Sequence, residues 1–199
     1  MAVRVAIADY GVGNLHSIRK ALENCGANPY IVEDMRGLLD AECIVLPGVG
    51  AFDKAIERLQ PVRRELVREL EGGTPCLGIC IGAQILFESS EEGKEPGLGF
   101  YQGRVVKLKA ERVPHMGWNS VRTDDPIIKG VRSPFFYFAH SYHGMPTEDI
   151  AIGDTNYYGQ VPTLFLKRRT YGTQFHPEKS SESGLRLLRN FVRFAEGSL

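Results

Sequence analysis

In the first 70 residues short apolar runs alternate with stretches of helical periodicity, and that alternation leaves few folds open to the chain. Val3 to Ala8 is apolar, Leu15 to Cys25 repeats its apolar positions at the helical period before Gly26, and Tyr30-Ile31-Val32 follows. A short helix is expected near Arg36 to Leu39 and a strand at Cys43-Ile44-Val45-Leu46. Ala51 to Leu70 reads as helical on both sides of Pro61, which should kink it or divide it in two. Strands and helices in alternation argue for a parallel sheet with right-handed crossovers. The second half changes character. Gly103 to Leu108, Trp118 to Arg122, Phe135 to His140, Ala151 to Thr155, Thr163 to Lys167 and Tyr171 to Phe175 read as strands with few helices between them. Antiparallel additions to the main sheet are expected there. Ser180 or Ser181 should cap a closing helix that runs to about Ala195. The fold class is therefore α/β, an open and mostly parallel central sheet flanked by helices. Without repeats, linkers or low-complexity segments, residues 1–199 are expected to form one domain.

Composition narrows the partners. The chain carries 24 basic and 24 acidic residues, so it has no net field to attract nucleic acid or an anionic membrane. Arg63-Arg64 with Arg68, and Lys167-Arg168-Arg169, lack interleaved aromatics and read as solvated faces. The four cysteines, Cys25, Cys43, Cys76 and Cys80, are too sparse for a secreted disulfide scaffold. Met1-Ala2-Val3-Arg4 leads straight into a strand, so the expectation is a cytoplasmic protein with free thiols. A zinc site from Cys76, Cys80 and His176 would have poor spacing, and neither metal nor cofactor is expected.

Chemistry is concentrated at Gly78-Ile79-Cys80-Ile81-Gly82. Thr74 to Ile79 reads as a short buried strand, and Ala83 to Glu88 as the start of a helix. A cysteine at that junction, with glycines two residues before and after it, fits a nucleophile elbow, whose strained turn needs small flanks. Helix N–H groups aimed at the side chain favour a thiolate over a thiol. Far downstream, Phe175-His176-Pro177-Glu178 ends a strand. A cysteine nucleophile needs a base, and the base needs a third group to fix its tautomer. Pro177 fixes its own φ and restricts its neighbour, holding His176 and Glu178 on one rigid rim. Cys80, His176 and Glu178 are the candidate catalytic set. The N–H of Ile81 should be one donor to an oxyanion formed at Cys80, and the Pro47-Gly48-Val49-Gly50 loop should supply the other.

Gly-Ile-Cys-Ile-Gly-Ala-Gln followed by Phe-His-Pro-Glu resembles the class I (triad-type) glutamine amidotransferases, over about residues 3 to 195. That resemblance implies a flavodoxin-like sheet and hydrolysis of L-glutamine through a Cys80 thioester, with ammonia passed to a synthase partner. Asp9 to Leu15, Leu46 to Phe52 and Pro114 to Asn119 narrow it to the branch that serves a (β/α)8 cyclase of histidine biosynthesis. By the same resemblance, the N–H of Val49 or of Gly48 completes the oxyanion hole. Gln84 contacts substrate, Glu91 or Glu92 (with Glu92 preferred) meets the glutamine amino group, and Ser141 and Tyr142 lie near its carboxylate. Asn14, Tyr137, His140 and Lys179 fall at or near strand ends and are assigned to the partner face. His16 and His115 are read as surface or structural groups. The rival readings are a glutaminase serving another synthase, a stand-alone cysteine hydrolase of similar fold, and a non-catalytic binding module.

Overall fold

A computed structural model of the chain describes residues 2–11 and 15–197. Strands β1 (Arg4–Ala8), β2 (Asn28–Val32), β3 (Cys43–Leu46) and β4 (Cys76–Ile79) form its first half with helices α1 (His16–Asn24), α2 (Phe52–Leu59) and α3 (Arg63–Gly72). Pro61 sits in a single 3-10 turn, residues 60–62, that separates α2 from α3, so the long helical stretch is divided as expected. After β4 comes α4 (Ile81–Gln84), a single turn where a longer helix was expected, because the chain leaves it at Ile85 for β5 (Ser89–Ser90). Then follow β6 (Gly103–Lys107), β7 (His115–Ser120), β8 (Phe135–His140), β9 (Tyr142–Pro146), β10 (Ala151–Asn156), β11 (Gln160–Lys167), β12 (Thr170–Thr173) and the closing helix α5 (Ser181–Ala195).

The main sheet has the order β10-β11-β12-β4-β3-β1-β2. Its five parallel strands taken alone run β2-β1-β3-β4-β12, the flavodoxin-like doubly wound order. β3, β4 and β12 are buried along their whole length because helices cover both faces. Two apolar cores result. One centres on Phe52, Leu59, Leu66, Phe87, Tyr101 and Phe165, the other on Leu22, Phe136, Phe138, Phe175, Leu187 and Phe191.

Antiparallel additions to this sheet are confined to β10 and β11. The other second-half strands depart from the expectation and form separate small sheets, β5-β6-β9 and the hairpin of β7 and β8. β9 was not anticipated at all; its sequence, Tyr-His-Gly-Met-Pro, lacks an alternating apolar pattern, and it is held by its register against β6. The helix cap also differs. Ser180 occupies the position before α5, but its hydroxyl donates to the His176 carbonyl and accepts from the Tyr137 N–H, tying the turn to β8 instead of capping.

α4 lies close against β3, and only glycine allows it: a Cβ on Gly82 would stand 1.9 Å from the Leu46 carbonyl oxygen. A Cβ on Gly72, at the end of α3, would meet nothing within 4 Å. Gly82→Ala should therefore cost about 1–3 kcal/mol or more through backbone displacement and lower the thermal midpoint by several degrees. Gly72→Ala should leave it unchanged or slightly raised. Parallel thermal melts followed by circular dichroism check the pair.

Candidate active site

Three adjacent strand ends build the site. β4 pairs with β3 on one side, Gly78 opposite Leu46, and with β12 on the other, Ile79 opposite Thr173. The residues just beyond these partners, the Pro47–Gly50 loop, Cys80, and Gln174 to His176, must therefore share one rim of the sheet. In doubly wound sheets, this carboxyl rim is where ligands bind.

Cys80 turns sharply at that rim, with φ 49° and ψ −107°, a left-handed conformation that costs a non-glycine residue energy. The turn is held because the Cys80 N–H donates to the Thr173 carbonyl at 2.7 Å and its own carbonyl accepts from Ala83 and Gln84, each at 3.0 Å. A Cβ on Gly78 would stand 2.6 Å from the Gly82 carbonyl oxygen, so both flanking glycines are required by contact and not by flexibility. Since α4 is one turn long, it offers oriented N–H groups to the sulfur rather than a developed macrodipole. Among the described residues, the N–H groups of Gly48, Val49 and Ile81 have no hydrogen-bond acceptor.

His176 Nδ1 lies 2.8 Å from Glu178 Oε1, with the two side chains only 3% and 7% exposed. Its backbone N–H donates to the Tyr137 carbonyl at 2.8 Å, an isolated bridge that anchors the rim to β8. A Cβ on Gly48 would lie 2.8 Å from His176 Cε1 and 3.1 Å from Cys80 Cβ, which places all three around one point. Burial works against the His176 imidazolium. Hydrogen bonding to Cys80 and Glu178, with the charges of both, outweighs it and raises the pKa to about 9. The other three thiols are inert by contrast. Burial pushes Cys43 up to about 12 and raises both Cys76 and Cys25.

A cavity of about 360 Å3 opens over Cys80 and His176. Gly48, Ile81, Gln84, Ser141, Tyr142 and His140 line it. Val49 does not line it, and its side chain packs into both apolar cores. Glu92 and Lys179 also line the cavity, whereas Glu91 faces a separate cavity with Arg104 and Lys107. Burial, then the neighbouring Asp53 charge, raises the Glu92 pKa. Gln84 donates to the Tyr142 carbonyl at 2.9 Å and to Gln174 Oε1 at 3.2 Å, while its own Oε1 is buried without a partner among the described residues.

The partner-face residues divide. Asn14 lies outside the described residues. Lys179 is exposed and Tyr137 half-buried, its ring against Trp118. His140 corrects the expectation: its imidazole is buried, with Nδ1 2.8 Å from the Tyr142 carbonyl and Nε2 3.1 Å from His115 Nδ1. Burial, reinforced by neighbouring histidines, lowers His140 to about 3, and burial lowers His115 to about 4, so both rings are neutral at pH 7. His115 is held between Phe138 and Tyr157, stacked on each. Gln174, within the Tyr171 to Phe175 strand, has no role in the reading of the sequence. Its place before the His-Pro-Glu run was the available signal.

This sheet order, with a buried Cys-His-carboxylate cluster at the rim, defines a cysteine-dependent α/β hydrolytic site. The family model for "Glutamine amidotransferase class-I" matches residues 6–194. The chain is 44% identical over 199 residues to the imidazole glycerol phosphate synthase subunit HisH of Thermococcus kodakarensis, covering 95% of this chain and 99% of the relative. It is 45% identical over 193 residues to that of Methanocaldococcus jannaschii, covering 94% and 98%. In fold it is similar to a crystal structure of a glutamine amidotransferase, with TM-score 0.76 at 20% identity over 96% of this chain and 98% of that one. The chain belongs to the class I glutamine amidotransferases and is an enzyme of that kind. Among the described residues, no group of metal-ligating side chains is present and no helix is long and apolar enough to cross a membrane.

The raised His176 pKa has a stability consequence. Folding lifts it from about 6.5 to about 9, so the folded state favours the protonated ring. The associated stabilisation is full below about pH 6.5 and is lost as pH rises through about 9. Glu178→Gln keeps the shape and removes a charge, so it should lower the His176 midpoint seen by NMR titration. It should also flatten the decline in denaturant stability between those two pH values.

Proposed function

We propose that this chain is the glutaminase subunit of an imidazole glycerol phosphate synthase. It hydrolyses L-glutamine to glutamate and ammonia, and a (β/α)8 cyclase partner uses the ammonia to make imidazole glycerol phosphate and AICAR. The observation that carries the chemistry is Cys80, held in a strained turn beside the buried His176–Glu178 pair under a cavity of about 360 Å3. Near-full-length identity to HisH subunits supports the choice of synthase.

The steps follow from the geometry. As Cys80 attacks, its proton passes to His176, whose imidazolium is stabilised by the sulfur and by Glu178. The sulfur attacks the side-chain amide carbon of glutamine, forming a C–S bond and an oxyanion. N–H groups of Ile81 and of the Gly48–Val49 turn are free to accept that charge. As the C–N bond breaks, His176 gives its proton to the departing nitrogen, which leaves as ammonia. His176 then takes a proton from water as the oxygen attacks the thioester. Collapse of the second oxyanion expels the thiolate and frees glutamate. Glu92, Gln84, Ser141 and Tyr142 surround the space for the substrate's polar ends. Ammonia released to bulk water would be protonated and diluted, which favours a partner seated over the cavity. An apolar surface beside it supports such docking: Met116, which lines the cavity, is 66% exposed and Trp118 52% exposed.

Cys80→Ala and His176→Ala should each lower glutaminase turnover roughly 10⁴- to 10⁶-fold, and the double change should be barely worse, because the groups act as a unit. Glu178→Gln should cost less. Ammonia release measured with the cyclase subunit present checks all four proteins; near wild-type turnover in Cys80→Ala would end the reading. On the partner face, Lys179 is proposed to pair with an acidic group of the cyclase. Lys179→Ala should weaken the complex by about 2–5 kcal/mol or reduce the partner's stimulation, with titration calorimetry as the measurement.

A further inference from the structure

Gln174 is 1% exposed and lies directly against the nucleophile, its Nε2 3.6 Å from Cys80 Sγ. Which end of this amide faces the sulfur is decided elsewhere. The Tyr142 carbonyl can only accept, so the amide end of Gln84 that meets it at 2.9 Å must be the NH2 group. That same NH2 group reaches Gln174 at 3.2 Å, so the Gln174 atom there must be its oxygen. The Gln174 nitrogen is then left facing Cys80. Reversing either amide would set two NH2 groups, or two oxygens, against each other inside the protein, an arrangement that leaves buried polar groups unpaired.

The Tyr142 carbonyl is itself held by a second donor. With His140 Nδ1 donating to it, His140 Nε2 must accept, and it accepts from His115 Nδ1 at 3.1 Å. His115 Nε2 accepts in turn from Asn119 Nδ2 at 3.3 Å. One backbone oxygen therefore accepts both from a donor chain that starts on β7 and from the Gln84 NH2 group, which donates onward to Gln174 beside the sulfur.

We propose that Gln174 is a further catalytic residue, a hydrogen-bond donor to the Cys80 thiolate whose polarity is imposed through Gln84 by the Tyr142 carbonyl. A donor stabilises S⁻ and gains little from S–H, so it acts in the direction a nucleophile requires. The competing contact, from Cys80 Sγ to the Ala139 carbonyl at 4.0 Å, favours the thiol but is longer. Other titratable groups facing the sulfur or its cavity are His176 with Glu178 behind it, His140 from β8, Tyr142 from β9, Glu92 and Lys179.

This inference rests on the reading of Cys80 as nucleophile, and its test needs neither glutamine nor a partner. The rate of Cys80 alkylation by iodoacetamide is followed against pH by peptide mapping on the full chain, for wild type, Gln174→Met and Gln174→Glu. Thermal melts confirm that each variant is folded. Glutamic acid keeps the shape and the contact with Gln84, so it guards against misfolding of the methionine variant. The alkylation midpoint should rise by about one to two pH units in Gln174→Met, the equivalent of one hydrogen bond to a charged group. It should rise at least as far in Gln174→Glu, which sets a carboxyl group against the sulfur. An unmoved midpoint in a folded variant would overturn the role of Gln174 while leaving the glutaminase reading intact. A wild type that releases no ammonia with its cyclase, but whose midpoint is still displaced by these changes, would strike the glutaminase reading and support the donor role.

Discussion

The site depends on the parallel pairing of β4 with β12, in which Ile79 stands opposite Thr173. That register carries the 2.7 Å bond from the Cys80 N–H to the Thr173 carbonyl, and it sets the end of β12 beside the elbow. A slip of one residue would turn every side chain of β12 to the other face and carry His176 away from the sulfur. The pairing is protected by its position. Both strands are buried along their whole length between two apolar cores, and β11 covers the far edge of β12. Strain at Cys80 is tolerated for the same reason, since the surrounding contacts over-determine the turn.

Around that pairing the groups of the site are fixed by contacts with little slack. Gly48, Gly78 and Gly82 each occupy a place where a single methyl group would collide with backbone or with the His176 ring. Ser180, given up as a helix cap, ties the His176 carbonyl to the Tyr137 N–H and so fastens the base to β8. The small hairpin of β7 and β8 thus does two things. The buried histidines lie on its inner side, the Tyr137 backbone bonds both His176 and Ser180, and its outer side presents Met116 and Trp118 to solvent.

Much of this was legible in the chain. The strand-helix alternation, the break at Pro61 and the paired glycines around Cys80 are local properties, and local rules read them correctly. What escaped was set by distant partners. β9 has no strand pattern of its own, and α4 stops after one turn because the segment after it is recruited beside β6. His140 looked like a surface group near a strand end, but a second histidine from β7 closes over it. Gln174 was visible only as one position of the Tyr171 to Phe175 strand.

The sequence by itself determined the class of sheet and the reactive groups, because apolar period, glycine spacing and residue type are written along the chain. Tertiary structure alone decided their electrostatics. His176 is raised to about 9 while His140, lining the same cavity, is lowered to about 3. The two are the same residue type at comparable burial. One meets a carboxylate and a sulfur, the other a carbonyl and other histidines. The direction of the Gln174 amide was likewise decided by partners 58 and 90 residues apart along the chain, and no local pattern can encode a hydrogen bond over that separation.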